Sequence, residues 1–232
     1  MKLASGRGEV ALHELRPGPG PTLLALHALG GSARDFAARA ASWPGRVFAL
    51  DLPGHGDSAW MRGGSYSPEL CAAAADDALA ELGDACLLGA GLGAYVALLL
   101  AGARAARVPG VLLLPGRGLD GGGPAPRPDQ AVEVRSADAL RMLEARGAKE
   151  RAAFDPMLRA CETDPRPPEY ARAFADEAKR LLLAEDGGAR PPWWEAARAA
   201  ASAEPAPSDP AAALALLARA AAAPGRGPAP RS

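Results

Sequence analysis

The sequence has few histidines and no excess of charge of either sign. Three histidines occur among 232 residues, His13, His27 and His55, so none follows His55. Lys and Arg are scattered singly and the formal net charge is −1, which argues against nucleic acid or an anionic membrane surface as a partner. The last three quarters of the chain therefore offer no imidazole for catalysis.

The sequence also lacks metal-binding cysteine spacing and long apolar runs. Cys71, Cys86 and Cys161 form an odd set without such spacing, as expected for small core residues in a reducing compartment. The N-terminus has no apolar signal region, and the longest apolar run, Leu92 to Ala103, is too short to span a bilayer. We expect a soluble, cytoplasmic protein with no metal and no cofactor.

What the chain does contain is an alternation of short apolar strands and helical stretches. With 49% hydrophobic residues, it can form one α/β domain with an insertion or a smaller helical part. Strands are predicted at Glu9–Leu15, Thr22–Leu26, Val47–Leu50, Cys86–Leu88 and Val108–Leu114. This order predicts a mostly parallel sheet. The first of these strands alternates with period two, so it is expected at an edge with His13 facing solvent.

The central feature is a Gly-rich turn that joins the strand at Cys86 to an apolar helix starting at Leu92. Gly89, Gly91 and Gly93 match a G-x-S-x-G nucleophile turn in which glycine replaces the serine. Gly89, Gly91 and Ala94 also fit the G-x-G-x-x-G/A dinucleotide fingerprint. A third interpretation is that small residues merely let helix and strand pack closely.

Three segments together resemble the α/β-hydrolase superfamily of lipases, esterases and C–C hydrolases. They are the strand-end loop His27–Gly31, the D-x-P-G-x-G-x-S loop Asp51–Ser58 and the corner Gly89–Gly93, in the family's order. The resemblance covers about residues 9–118. It implies an oxyanion site formed by the backbone N–H groups of Leu92 and of a residue in the Ala28–Leu29 stretch.

The resemblance also implies an acid after a seventh strand and a histidine after an eighth, and neither strand is predicted here. We therefore expect a sheet truncated after about strand six. Of the remaining candidates, His27 is a weak candidate for the catalytic base, and Asp120 is a weak candidate for the catalytic acid. His55, Ser32 and Ser58 match loop residues of the family, and an apolar site makes the Cys86 thiol inert.

The predicted domain organisation is a core over residues 1–118, a Gly/Pro linker over 119–135, a helical cap-like region over 136–203 and a mobile Ala/Pro-rich tail over 204–232. Helical stretches are predicted at Ala137–Arg146, Lys149–Ala160, Pro168–Ala184 and Trp193–Ala203, and the resemblance implies that helices at this place form a cap over the active site. Its candidate pocket residues are Met142, Leu143, Phe154, Met157, Leu158, Tyr170, Phe174, Leu181, Trp193 and Trp194.

The leading functional hypothesis is a pseudo-hydrolase that binds a small apolar acyl or carbonyl ligand or acts as a partner subunit. The alternatives are a triad-independent cyclase or isomerase that uses the oxyanion site, and a truncated ester or acyl hydrolase. The Val108–Leu114 strand would present an unpaired apolar edge. We expect the helical segment after Pro128, another copy of the chain or a partner chain to cover it.

Overall fold

The centre of the computed structural model, which describes residues 1–6, 8–61, 65–122 and 156–222, is one sheet of eight strands. The strands are β1 (Lys2–Ser5), β2 (Gly8–Arg16), β3 (Leu23–Leu26), β4 (Val47–Asp51), β5 (Cys86–Ala90), β6 (Val111–Leu114), β7 (Leu181–Leu183) and β8 (Ala203–Pro205). They lie in the order β1-β2-β4-β3-β5-β6-β7-β8. The β1–β2 and β2–β4 pairs are antiparallel and the others are parallel, which confirms the predicted sheet.

Helices cover both faces of this sheet. They are α1 (Phe36–Arg39), α2 (Pro68–Leu82), α3 (Leu92–Ala103), α4 (Pro168–Glu177), α5 (Pro192–Arg198) and α6 (Pro210–Ala222), with 3-10 turns at Ala33–Asp35 and Pro156–Cys161. The predicted start of α2 is confirmed, since the Ser67 hydroxyl accepts a hydrogen bond from the Leu70 amide at 3.2 Å and proline occupies the first turn. None of the helices in these residues combines the length and apolar character needed to cross a bilayer.

Successive side chains of the buried strands point to opposite faces and so feed two separate cores. Leu24 and Leu26 of β3 pack in the cluster that includes residues of α2 to α5. Leu23 and Ala25 pack in the second cluster, with residues of α1 and α6. Coverage on both faces explains why β3 is a continuous apolar run rather than an alternating one. The three cysteines are free and buried, as predicted.

The sheet does not stop at β6, so the predicted truncation is wrong. β7 pairs with β6 in parallel, with Leu182 opposite Leu112, and β8 pairs with β7. The Val108–Leu114 edge is thus paired with a strand of the same chain. It does not need the other copy, partner chain or helical segment that was expected to cover it. The prediction failed because β7 has only three residues and was included in a helix predicted to run to Ala184. That helix ends at Glu177, where Ala178 takes extended dihedrals of φ −67° and ψ 140°.

Residues after 118 contribute to the core in the part of the chain that the structure describes. Helices α4 and α5, which lie in the predicted cap-like region, pack in the core cluster of the sheet. The tail expected to be mobile contains α6, whose Leu217 is fully buried against the other face. Most of the predicted linker and the helices at 137–146 and 149–155 lie outside the described residues. The edge assignment of β2 is corrected too, since β1 pairs with its outer side.

Candidate functional site

Gly91 forms a sharp turn between β5 and α3, with φ 53° and ψ −119°. This backbone conformation favours glycine. The two flanking glycines are needed for close packing. A Cβ atom at Gly93 would lie 2.1 Å from the Leu26 carbonyl oxygen, and one at Gly89 would lie 2.3 Å from the Gly93 carbonyl oxygen. The strand, turn and helix predicted here are observed.

A side chain at position 91 would collide with the loop that follows β6. A Cβ atom there would lie 2.2 Å from the Arg117 carbonyl oxygen and 2.6 Å from the Gly116 carbonyl carbon. Both obstacles are backbone atoms, so they cannot move aside as a flexible side chain would. Serine therefore does not fit at this corner unless the turn of residues 116–118 shifts.

The same turn fills the predicted oxyanion site. The carbonyl oxygen of Arg117 accepts hydrogen bonds from the amide of Leu92 at 2.9 Å and from the amide of Leu29 at 3.0 Å. Ala28, the other residue predicted here, contributes its carbonyl oxygen, which accepts from the Gly31 amide at 2.9 Å. The two donors that would stabilise an oxyanion are thus used within the chain.

The Arg117 turn is held in place from outside the corner. Its guanidinium pairs with the carboxylate of Glu162, and the amide of Leu119 donates to the carbonyl oxygen of Cys161 at 2.7 Å. The Trp193 indole N–H also donates to the carbonyl oxygen of Leu119, at 3.2 Å. The segment after β6 is therefore fastened by α5 and by the 3-10 turn that ends at Cys161.

The amides of the Gly-rich turn are all used inside the chain, which disfavours the dinucleotide interpretation. Gly91 donates to the Leu114 carbonyl at 3.1 Å, Leu92 to Arg117, and Gly93 to the His27 carbonyl at 3.1 Å. A phosphate-binding loop needs such amides free to bind the phosphate oxygens.

His27 and His55 hold loops and are not placed as bases. His27 is completely buried, with Nδ1 2.8 Å from the Ala28 carbonyl oxygen and Nε2 accepting from the Leu52 amide at 3.0 Å. His55 Nε2 accepts from the Gly30 amide at 3.0 Å, and the two rings meet edge-to-face at 4.7 Å. Burial lowers the pKa of His27, and burial together with His27 lowers that of His55 well below its usual value.

The D-x-P-G-x-G-x-S loop is organised by the buried carboxylate of Asp51. It accepts from the amides of Ala33 at 2.7 Å and Asp57 at 2.9 Å, and His13 Nε2 lies 2.9 Å from the same oxygen as the Asp57 amide. His13 is therefore hydrogen-bonded, not simply solvent-facing as predicted. His13, Asp51 and Asp57 could group around a metal ion, but the Asp51 carboxylate already accepts these backbone bonds.

An acid follows β7, and sequence reasoning missed it together with the strand. Asp186 comes three residues after Leu183 and accepts from Arg190 Nη2 at 2.6 Å and from the Gly188 amide at 3.0 Å. These bonds lower the pKa of Asp186, the Gly188 bond most. The signal in the sequence was the Leu181–Leu183 run followed by acidic residues. No histidine follows β8, where Ala206, Pro207 and Ser208 stand.

A pocket of about 440 Å³ lies beside the corner and brings several of these residues together. Its walls in the described residues include Gly91, Leu114, Asp120, Asp186, Arg190, Trp193 and Trp194. Asp120 is exposed, with φ 61°. The structure thus brings together Gly91, Asp120, Trp193 and Trp194 from the predicted candidates. His27, Tyr170, Phe174 and Leu181 are not in its wall, and Met142, Leu143 and Phe154 lie outside the described residues.

Comparisons with known proteins agree with this architecture. A sequence model of the Alpha/beta hydrolase family matches residues 23–230. Esterase Rv0045c of Mycobacterium tuberculosis is 36% identical over 86 residues, which are 36% of this chain and 29% of that esterase. The aligned part is thus less than a third of the curated relative.

Solved structures are similar over most of the chain at low identity. The structure of the same esterase has a TM-score of 0.60 at 19% identity and covers 96% of this chain and 91% of its own. Hypothetical protein PA1622 of Pseudomonas aeruginosa has a TM-score of 0.62 at 22% identity and covers 95% of this chain and 98% of its own. A serine-to-glycine variant of N-acyl homoserine lactonase AidH, complexed with N-hexanoyl homoserine lactone, has a TM-score of 0.51 at 22% identity. The match covers 80% of this chain and 79% of the lactonase chain.

Proposed function

We infer that this chain, which belongs to the alpha/beta hydrolase family, binds a small acyl or carbonyl ligand without hydrolysing it. The observation that carries this proposal is that the Arg117 carbonyl oxygen accepts hydrogen bonds from the amides of Leu29 and Leu92. Acyl transfer needs such donors free at the position where negative charge develops. A carbonyl oxygen already at that position excludes a developing oxyanion from it.

Among the described residues, no nucleophile and base lie together at the corner, which supports the same proposal. Gly91 has no hydroxyl group, and the backbone of Gly116 and Arg117 leaves no room for one. Both histidines near the corner use their ring nitrogens to hold backbone groups. Asp186 pairs with Arg190 rather than with a histidine. A serine-type mechanism requires a nucleophile and a base within hydrogen-bonding distance of each other.

The pocket beside the corner supports ligand binding over a purely structural role. It is concave and mostly apolar, with a few polar side chains at its wall, which is the usual composition of a small-molecule site. The AidH variant, solved with an acyl homoserine lactone, is a protein of this fold in which serine is replaced by glycine and a ligand is bound. A protein of similar fold thus binds a ligand after a serine is replaced by glycine.

Esterase activity is the second candidate function, since the curated relative is named an esterase. It would need the Arg117 turn to move and a nucleophile from elsewhere in the chain. Labelling with a fluorophosphonate and turnover of p-nitrophenyl hexanoate decide between the two, with the Mycobacterium tuberculosis esterase as the active comparator. We expect no labelling and a kcat/KM at least about 10⁴-fold lower than that of the comparator. Stoichiometric labelling of a serine, or turnover within tenfold, would overturn the proposal.

A further inference from the structure

The segment that follows β6 contains two residues in a strained backbone conformation. Among the described residues, the non-glycine residues with positive φ are Leu119 at 49° and Asp120 at 61°. A side chain disfavours this left-handed conformation, which persists only where surrounding contacts hold it. The Leu119 side chain is fully buried, so packing holds the backbone in place. The segment therefore stores strain in its observed position.

A buried donor without an acceptor is a second unfavourable feature of the same segment. Arg117 Nη2 donates to the carboxylate of Glu162. Arg117 Nη1 is buried and has no hydrogen-bond partner in the part of the chain that the structure describes. Burying an unpaired donor is unfavourable because the hydrogen bonds to water that it loses are not replaced. The strain and the unpaired donor thus lie close together in the sequence.

Three of the attachments that hold this segment converge on Cys161 and Glu162, which we call the latch. The Leu119 amide donates to the carbonyl oxygen of Cys161 at 2.7 Å, and the Asp120 amide donates to that of Glu162. The Glu162 carboxylate also pairs with the Arg117 guanidinium, and both side chains are partly exposed. Loss of the latch would therefore release several contacts of the segment together.

The segment also has room to move and residues at which it can pivot. Gly116, Gly118 and Gly121 give its backbone wide conformational freedom, and all three lie in the wall of the pocket of about 440 Å³. Close packing on every side would prevent a movement of this loop. The pocket instead provides free volume directly against it.

We propose that residues 116–122 form a plug with two positions and that the latch holds the plug in the observed one. In the observed position the Arg117 carbonyl oxygen accepts from the amides of Leu29 and Leu92. In the released position the plug takes up part of the pocket volume and both amides are free. The plug thus regulates whether an acceptor from outside the chain reaches these two donors.

Native-state hydrogen exchange tests the plug in the protein without a ligand. Release of the plug exposes the Leu29 and Leu92 amides by a local opening, whose free energy does not depend on urea. We expect equal protection of the two amides within about twofold, and protection at least about tenfold lower than at Gly91 and Gly93. The Gly91 and Gly93 amides donate to carbonyl oxygens outside the plug, so their exchange should accelerate with urea as global unfolding does. One urea dependence and equal protection at all four amides would overturn the proposal.

The substitution Glu162→Gln removes the charge of the latch and keeps its size and its backbone carbonyl group. Exchange at Leu29 and Leu92 should accelerate about 2- to 5-fold, as expected for the loss of a partly exposed ion pair. Asp76→Asn is the matched control, since it weakens the partly exposed pair of Asp76 with Arg104, outside the plug and the latch. It should change exchange at the two amides less than about 1.5-fold. Equal effects of the two substitutions would contradict the latch.

Asp120→Gly should act in the opposite direction. Glycine adopts a φ of 61° without steric cost, and this gain exceeds the freedom that glycine adds in the released position. Exchange at Leu29 and Leu92 should therefore slow about 2- to 5-fold. Asp120→Asn removes the same charge but keeps the Cβ atom, so it should have a clearly smaller effect. Unchanged or faster exchange in Asp120→Gly would overturn the proposal, and this variant decides the question if Glu162→Gln does not fold.

As a device that regulates the corner, the plug rests on the ligand-binding function proposed above, but the two fail in different experiments. The exchange rates are measured without a ligand, so they would overturn the plug alone. Ester turnover or serine labelling would overturn the non-hydrolytic function, whatever the exchange rates are.

Discussion

The carbonyl oxygen of Arg117 lies 2.9 Å from the amide nitrogen of Leu92, at the first residue of the helix that follows the Gly91 turn. The same oxygen would lie 2.2 Å from a Cβ atom at Gly91. The Arg117 carbonyl oxygen can therefore accept from the Leu29 and Leu92 amides only where residue 91 has no side chain. The turn of residues 116–118 takes this position because residue 91 is glycine.

The first prediction is that Gly91→Ala destabilises the fold by about 2–5 kcal/mol, measured by urea unfolding. Overpacking contributes about 1–3 kcal/mol and the left-handed backbone about 1–2 kcal/mol. Gly83→Ala is the matched control, since Gly83 has φ 83° with no atom within 4 Å of its Cβ position. Gly83→Ala should therefore lower the free energy of unfolding only by the about 1–2 kcal/mol that the left-handed backbone contributes. Equal costs for the two variants would show that the Arg117 turn does not block the corner.

The second prediction concerns hydrogen exchange at the occupied donors. The Leu29 and Leu92 amides should exchange slowly and be affected together, because they share one acceptor. In Gly118→Ala, a Cβ atom would lie 2.9 Å from the Leu92 Cβ atom, and the turn should be pushed out. We expect exchange of both amides to accelerate at least about tenfold, which corresponds to about 1.4 kcal/mol.

Gly122→Ala tests the same loop without crowding, since nothing lies within 4 Å of its Cβ position. It should leave both amides protected. If Gly118→Ala releases only one of them, the shared-acceptor arrangement is wrong.

The third prediction is a loss of stability between pH 6.5 and 5.5 caused by His27 and His55. Their folded-state pKa values are lowered, so in this range the unfolded chain binds protons that the folded chain does not. Stability is then fully present above the unfolded pKa of about 6.5 and falls with pH, by at most about 1.4 kcal/mol per histidine per pH unit. His55→Asn should reduce the slope of unfolding free energy against pH by about half. An unchanged slope would contradict the assignment.

The fourth prediction tests whether α6 belongs to the core. Leu217 is fully buried, whereas Leu216 on the same helix is half-buried. Leu217→Ala should therefore cost about 2–4 kcal/mol of unfolding free energy, and Leu216→Ala clearly less. If both variants lower the free energy of unfolding by similar and small amounts, residues 210–222 form a mobile tail and not part of the core.

Several features of the fold could be predicted because their signals are local. The apolar run Leu23–Leu26 predicts a buried parallel strand, and Ser67 followed by Pro68 predicts the start of α2. Strands β7 and β8 could not be found in this way. Leu181–Leu183 is too short to separate from the preceding helix, and Ala203–Pro205 has no apolar pattern. β7 becomes a strand because β6 offers an unpaired edge, and β8 because β7 offers the next one.

By itself, the sequence determined the alternating α/β pattern, the glycine at the nucleophile position and the absence of a histidine beyond His55, because these depend on residue identity and short-range spacing. Only the tertiary structure decided that Asp186 lies at the pocket and that the Arg117 carbonyl oxygen fills the site between Leu29 and Leu92. Every residue has a carbonyl oxygen, so the sequence cannot show which one is used. The segment after β6 packs against α5, and this packing places the Arg117 carbonyl oxygen at the corner.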